Sequence, residues 1–480
     1  NYQETLEGTT PCYNGNISRM CWRSGENGMA TVIDPQEKGY SFTYDGLSRL
    51  KDAIYGEGTN LKQNRNRFNE QITGYDKMGN ILGLLRYGQT GTDSYGLVDN
   101  LNLIYHGNQL QSVYDNATNS VFGNGMEFKD NVNETVEYEY DKNGNLAKDL
   151  NKKISEIQYN ILNLPSHISF ADGSSIEYEY AADGRKVRTT HTINNNVTST
   201  VYCGNAIYEN GSLKMLLNEA GYYSFQDNKF HFYLKDHQGN VRVVTDEAGN
   251  VDEVNDYYPF GGLMSNGCNN VQPYKYNGKE LDQKGGLDWY DYGARMYDAT
   301  LGRFMKTDRF LEKYVSLSPY QYGANNPVNN IDINGDSIWY TRNGDIVTMH
   351  VTAKIFNNSS DNINMARAAK DIVSDIKSTY EGKFEWSDNK TYNLKVDMDL
   401  KVATSMKDVE NSDHLFVLAD SDSKGARGAT SMLGGKVMTL ASSDFANNNW
   451  LSNNLSYNKT FTATHEFGHA IGIITFAESI

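Results

Sequence analysis

Close to its end this 480-residue chain reads Ala463-Thr464-His465-Glu466-Phe467-Gly468-His469-Ala470-Ile471-Gly472. Histidines four residues apart stand one above the other on a helix face, so His465 and His469 can share one metal ion. Glu466 sits beside them, placed to take a proton from a bound water whose pKa zinc lowers towards roughly 7. That chemistry is hydrolysis. Phe461, Phe467, Ala470, Ile471 and Ile474 give the helix an apolar side, and Glu466 is the one charge within the motif. The spacing predicts Zn2+ as the cofactor, His465 and His469 as ligands and Glu466 as the general base.

A catalytic zinc takes three protein ligands plus water. The pattern HExxHxxG resembles that of the metzincins, whose third ligand is His or Asp three residues after the glycine. Here that position is Thr475, a poor ligand. Glu478, nine residues past His469 (478−469), and His350 and His414 are the other donors within the chain. The residues after Ile473 leave no room for the methionine turn that floors such sites. The expectation is a peptidase-like domain truncated past Gly472, with two ligands, a base and an incomplete site.

The rest of the chain must position this helix, and its composition is that of a β-rich protein. Gly 43 and Tyr 34 against Pro 7 imply many turns between strands rich in aromatic residues. A net charge of −16 argues against a nucleic-acid backbone as partner. No run of eighteen apolar residues exists, so no membrane-spanning helix is expected. The chain starts at Asn1 without Met or signal segment, which suggests a piece of something longer. Of Cys12, Cys21, Cys203 and Cys268, the first two alone are close enough for a local disulfide, which an exported protein could hold.

Repetition organises the first two thirds. Tyr44-Asp45-Gly46-Leu47-Ser48-Arg49, Tyr75-Asp76-Lys77-Met78-Gly79-Asn80 and Tyr140-Asp141-Lys142-Asn143-Gly144-Asn145 share one pattern. Tyr180-Ala181-Ala182-Asp183-Gly184-Arg185 follows it, and Tyr159-Asn160 opens a weaker copy. Each reads as a strand ending in Tyr, a turn using Asp and Gly, and a second strand. Alternation in Val136–Tyr140 and Ile176–Tyr180 puts apolar or aromatic residues on one face and Glu on the other. Stacked hairpins of this kind bury each other's faces.

These repeats resemble the YD repeats of RHS proteins, and the stretch after them resembles the RHS-associated core. The core-like residues are Tyr233–Asn240 (YLKDHQGN), Tyr257–Gly261 (YYPFG), Tyr276–Glu280 (YNGKE), Tyr290–Asp298 (YDYGARMYD), Gly302-Arg303-Phe304 and Asn325–Asn329 (NNPVN). The resemblance covers residues 1 to about 336 and implies that the repeats wind into a cocoon-like β-shell. It also implies that the variable C-terminal segment is a toxin held inside. In related shells the core ends in an aspartate-based self-cleavage site, whose residues match Arg295, Asp308 and Asp332 here. Asp332-Ile333-Asn334-Gly335 stands where the family has Asp-Pro-x-Gly, and Asp308-Arg309 where it has Asp-Pro. The alternative is two turn-forming aspartates that cleave nothing.

From Ser337 the texture changes to a repeat-free tail read as helix-rich. Asn364–Lys377 carries Met365, Ala368, Ala369, Ile372 and Ile376 at helical spacing. Strand-like runs follow at Tyr392–Leu400 and His414–Leu418, then Gly434–Ala441, an Asn-rich loop and the HExxH helix. That order resembles zincin peptidases. Asp420 and Asp422 mark a polar turn or, alternatively, a calcium loop. The fold class expected is mostly β: a YD-repeat hairpin shell over 1–230, an RHS-associated core over 231–336 and a smaller α+β zincin-like domain over 337–480. The function expected is that of a secreted bacterial polymorphic toxin whose peptidase acts on a target-cell protein in bacterial competition. An immunity protein and export machinery are the partners that the resemblance implies. The alternative is a structural or adhesive surface protein with an inactive metallopeptidase remnant. Elemental analysis of the purified chain decides whether a third ligand exists. The expected content is about one zinc per molecule, lost when His465 and His469 become Ala; no zinc would leave two ligands and a base that hold none.

Overall fold

Tyr, Asp and Gly recur because each closes a different part of a hairpin. A computed structural model describes residues 12, 16–23, 37–182, 184–264, 271–309, 311–313, 316–332, 339–343, 346–385, 391–405, 414–420, 428–430 and 437–442. In the repeat turns the aspartate ties up the main chain. Asp76 Oδ1 accepts the N–H groups of Met78 and Asn80 at 2.8 Å, and Oδ2 accepts the Asn80 amide at 2.7 Å. Asp141 does the same with Asn143 and Asn145, and Asp45 with Leu47 and Arg49. Asp236 and Asp246 form two further copies downstream. The residue three after the aspartate has positive φ, 85° at Gly79 and 79° at Gly144, where a Cβ would be strained.

The tyrosine serves the neighbouring hairpin. Tyr75 Oη donates to Leu50 O at 2.6 Å, Tyr159 to Leu146 O at 2.7 Å and Tyr180 to Pro165 O at 2.9 Å. Each acceptor opens the second strand of the hairpin before it. A bond of this type contributes on the order of 1 kcal/mol net. In Tyr75-Asp76 the pair both closes a turn and fastens it to the last one.

The first compact unit, Asn1–Gly335, holds two antiparallel meanders. Seven strands run from Arg19–Trp22 to Gln109–Asp115 and thirteen from Tyr138–Tyr140 to Val251–Val254, each bonded to its neighbours in sequence. The larger sheet passes through residues 230 and 231 within the strand Lys229–Lys235, so no break falls there. A four-stranded sheet follows: Glu280–Asp282, Trp289–Asp291, Met296–Asp298 and Arg303–Phe304. In Ser175–Tyr180 the expected alternation holds, with Ile176 and Tyr178 buried and Glu177 and Glu179 exposed. At Val136–Tyr140 it does not. The strand begins at Tyr138, Val136 is exposed and Glu137 is buried. The Glu137 carboxylate is satisfied there by the Val113 N–H at 2.9 Å and the Asn151 amide at 2.8 Å.

One apolar cluster joins both meanders to the segment from Tyr257 to Val328. Two of its buried phenols donate to main-chain carbonyls, Tyr258 to Tyr87 O at 2.7 Å and Tyr257 to Val241 O at 2.8 Å, while Tyr178 Oη has no hydrogen-bond partner among the described residues. Arg86 crosses this core fully buried, paired with Glu70 at 2.9 Å and with Asp99, and it donates to Thr300 O at 3.1 Å. Cys12 and Cys21 form no disulfide; the Cys21 thiol instead accepts the Arg19 Nε–H at 3.1 Å.

The second unit, Asp336–Ile480, is built differently. Its sheet runs Gly382–Glu385, Thr391–Val402, Ile346–Asn357, His414–Ala419, Val437–Ala441, Gly428–Thr430, with Trp339–Asn343 also paired to Ile346–Asn357. The pairings of Ile346–Asn357 with Thr391–Val402 and His414–Ala419, and of the latter with Val437–Ala441, are parallel. The edge strand Gly428–Thr430 is antiparallel. One helix, Met365–Tyr380, is capped by Asn364 and buries Ala368, Ala369, Ile372 and Ile376 against the sheet. The described tail is thus mainly sheet, correcting the helix-rich expectation, because Val, Met and Leu alternate through its long strands.

Asp149 exposes a liability in the larger unit. It is 1% exposed, and its Oδ2 has no hydrogen-bond partner among the described residues. Burial, opposed by Lys152 and helped by Asp298, pushes its pKa up to about 7. Unfolded, an aspartate titrates near 3.9, so between about 4 and 7 the folded chain binds more protons and its stability falls as pH rises. Asp149→Asn removes the buried charge. Thermal melts should show a higher Tm for this variant at pH 8, by a few degrees, and little difference at pH 4.

Candidate active site

Arg295, Asp308 and Asp332, 13 and 24 residues apart (308−295 and 332−308), meet in the fold. Arg295 enters the strand Met296–Asp298, and its guanidinium lies 3.7 Å from the centre of the Phe304 ring. Nη2 is 2.9 Å from Asp308 Oδ2 and donates to Asp332 Oδ2 at 2.9 Å, while Nη1 donates to Pro319 O at 3.2 Å. The arginine side chain is 2% exposed and the two carboxylates 13% and 17%. One nitrogen therefore holds two acids beside each other in a nearly dry place.

Asp332 carries the electrostatic perturbation. Burial raises the Asp332 carboxyl; Arg295 and Lys279 pull it back, and the Asp308 charge raises it. Like charges at close range cannot both stay ionised easily, so the proton rests on Asp332 more readily than in water. Lys279, half-buried, is pushed down by the loss of water around it, and Lys306 is pushed down to about 7 by burial with Arg309 and Arg295 nearby.

The chain from Arg303 to Asn326, which runs through Asp308, is held by the repeat turns. Arg303 Nη2 donates to Asn108 O at 3.1 Å, Lys306 Nζ to Asn163 O at 2.6 Å and Tyr320 Oη to Gly144 O at 2.7 Å. Asn325 Nδ2 donates to Gly79 O at 2.7 Å and Asn326 Nδ2 to Ser48 O at 2.8 Å. Five side chains of one short stretch thus cap five turn carbonyls drawn from successive hairpins. Sequence reasoning quoted Arg303, Asn325 and Asn326 as motif residues but missed this use, along with Phe304 under Arg295 and Lys279, Lys306 and Tyr322. Their signal is tertiary, since each partner lies far off in sequence.

His465, Glu466 and His469, with Thr475 and Glu478, lie outside the described residues, as does Asp422. His350 falls in the strand Ile346–Asn357, and His414 opens the strand His414–Ala419, buried. Asp420 Oδ1 accepts the N–H and hydroxyl of Ser360 at 3.3 Å each, a contact across 60 positions of sequence.

No family model matches the chain. It is 32% identical over 223 residues to Salivary gland surface protein 1 of Aedes aegypti, a match covering 41% of this chain and 6% of that protein. It is 27% identical over 221 residues to the tRNA3(Ser)-specific nuclease WapA of Bacillus spizizenii, and 26% over 224 residues to the tRNA nuclease WapA of Bacillus subtilis. Each of these covers 42% of this chain and 9% of the relative, so the chain spans under a tenth of the relatives it matches. Among solved structures, the crystal structure of TcdB2-TccC3-TEV matches with 18% identity and a TM-score of 0.43, over 66% of this chain and 18% of that one.

Removing the arginine tests what the pairing contributes. Arg295→Gln takes away the cation that two half-buried carboxylates share, a change that costs about 3 kcal/mol in fully buried pairs and less where the acids keep some water. Urea denaturation should show that loss at pH 7 and a smaller one at pH 4, where Asp332, its carboxyl raised by burial, accepts a proton more readily.

Proposed function

We propose that residues up to Gly335 are part of the repeat shell of an RHS-type toxin and that Arg295, Asp308 and Asp332 cut the chain beyond Asp332. The observation that carries the reading is the single guanidinium nitrogen between two half-buried carboxylates. Asp308, ionised, takes a proton from water as its oxygen attacks the peptide carbonyl. Asp332, protonated, gives its proton to the leaving nitrogen as the C–N bond breaks. The products are a new carboxyl end and a new amine. The resemblance of the repeats, and the two relatives named as tRNA nucleases, support a toxin; nuclease activity belongs to those relatives.

For the second unit we propose a zinc peptidase acting on a target-cell protein. Its support is the order of one helix, a largely parallel sheet and an antiparallel edge strand ahead of the HExxH residues. His465 and His469 would hold the metal, which supplies an acidified water when bound, and Glu466 takes the proton. Export and a neutralising immunity protein belong to the same proposal. Among the described residues no helix is long and apolar enough to cross a membrane. A second reading, a surface protein with an inert remnant, is favoured by the Aedes aegypti relative alone.

Self-cleavage is tested on the whole chain by denaturing gel electrophoresis. Wild type is expected to split near the end of the first unit. Asp308→Asn and Asp332→Asn should each slow the split on the order of 100-fold or more. Cleavage at the wild-type rate in either variant would refute the assignment.

A further inference from the structure

Arg295 is held by fewer hydrogen bonds than its chemistry allows. A guanidinium carries five N–H donors in one rigid plane. Here Nη2 lies 2.9 Å from both Asp308 Oδ2 and Asp332 Oδ2, and Nη1 donates to Pro319 O at 3.2 Å. The buried Nε–H has no hydrogen-bond partner among the described residues. Neither acid grips the fork through two nitrogens, so these bonds fix one edge of the plane and leave its tilt about that edge open.

The tilt is set by a ring. Arg295 Cζ lies 3.7 Å over the centre of Phe304, against the negative face of its π-system. Phe304 has no exposed surface and is itself fastened. It pairs with Tyr297 across the strands Met296–Asp298 and Arg303–Phe304, and its N–H donates to Tyr320 O at 2.9 Å. The rings of Tyr297, Tyr292 and Tyr322 stand 5.3, 5.6 and 5.9 Å from it. Each of those phenols is hydrogen-bonded in turn, Tyr297 to Phe260 O and the other two to Asn277 Oδ1.

We propose that Phe304 is a positioning residue for self-cleavage: the face of its ring sets the plane in which Arg295 presents one nitrogen to both carboxylates. The inference rests on the self-cleavage reading above. A guanidinium tipped out of that plane carries Nη2 away from one acid or the other. A misplacement of about 1 Å is enough to cost a reaction of this kind on the order of 100-fold.

Phe304→Leu keeps apolar bulk and deletes the ring face. Fluorinated phenylalanines at position 304 keep the ring and drain charge from its face with each added fluorine. Phe260→Leu is the control, an equally buried ring of the same apolar cluster. Full-length chains are compared for cleavage rate, its pH profile and thermal stability. Burial raises the Asp332 carboxyl and Arg295 pulls it back. A slipped arginine pulls less, so the acid keeps its proton to higher pH and the alkaline limb of the profile moves up. Phe304→Leu should cleave on the order of tenfold or more slowly with that limb shifted up, and the fluorinated chains should slow in order of fluorine content. Phe260→Leu should lose similar stability yet cleave with the wild-type profile. Carbon-13 NMR of the Asp332 carboxyl, in chains kept intact by Asp308→Asn, reads the same pairing without cleavage, and Phe304→Leu should raise its titration midpoint. Equal slowing in Phe304→Leu and Phe260→Leu, or a profile and midpoint indifferent to Phe304, would overturn the role. A wild type that never cleaves, with the midpoint moving as expected, would instead sink the self-cleavage reading, and the positioning role with it.

Discussion

Everything in the larger unit depends on how a repeat turn disposes of its main-chain hydrogen bonds. Four residues that reverse direction leave N–H groups that no strand can accept. Here one aspartate collects two of them and its own following side chain. With the turn so closed, its remaining carbonyl points outward and becomes an attachment point. The preceding tyrosine meanwhile reaches back to the earlier hairpin, so register passes from one hairpin to the next through a phenol. In the thirteen-stranded sheet Tyr159 and Tyr180 fix two successive steps in this way, and a one-residue slip there would break both bonds.

Buried charge adds long-range constraints to that local rule. Arg86, Glu70 and Asp99 lie in three successive strands, and Glu70 also accepts the Phe260 N–H at 2.9 Å. Lys186 pairs with Glu280 at 2.8 Å and Asp291 at 2.6 Å, tying the larger meander to the four-stranded sheet. An unpaired member of either set would be strongly destabilising. These contacts admit one arrangement of the segments and penalise the near alternatives.

What could be read in the sequence follows from range. The hairpins, their glycines and the helix Met365–Tyr380 are encoded by residues within a few positions of each other, and they were legible. Glu137 misled because alternation says nothing of a partner such as Asn151, which takes a carboxylate into the core. Arg295, Asp308 and Asp332 were named only through the family resemblance; no spacing rule predicts that residues 13 and 24 apart converge (308−295 and 332−308).

The strict order of the meanders bears on synthesis. A ribosome delivers the chain from the amino end, and each hairpin can pair with the one just made, without waiting for distant sequence. The stretch from Arg303 to Asn326 is the exception: its partners Ser48, Gly79, Asn108, Gly144 and Asn163 were all made long before it. Assembly is thus vectorial up to that point and retrospective at it. The last part of the unit to emerge inspects the earliest, and a turn that failed to form would leave its inspector without an acceptor.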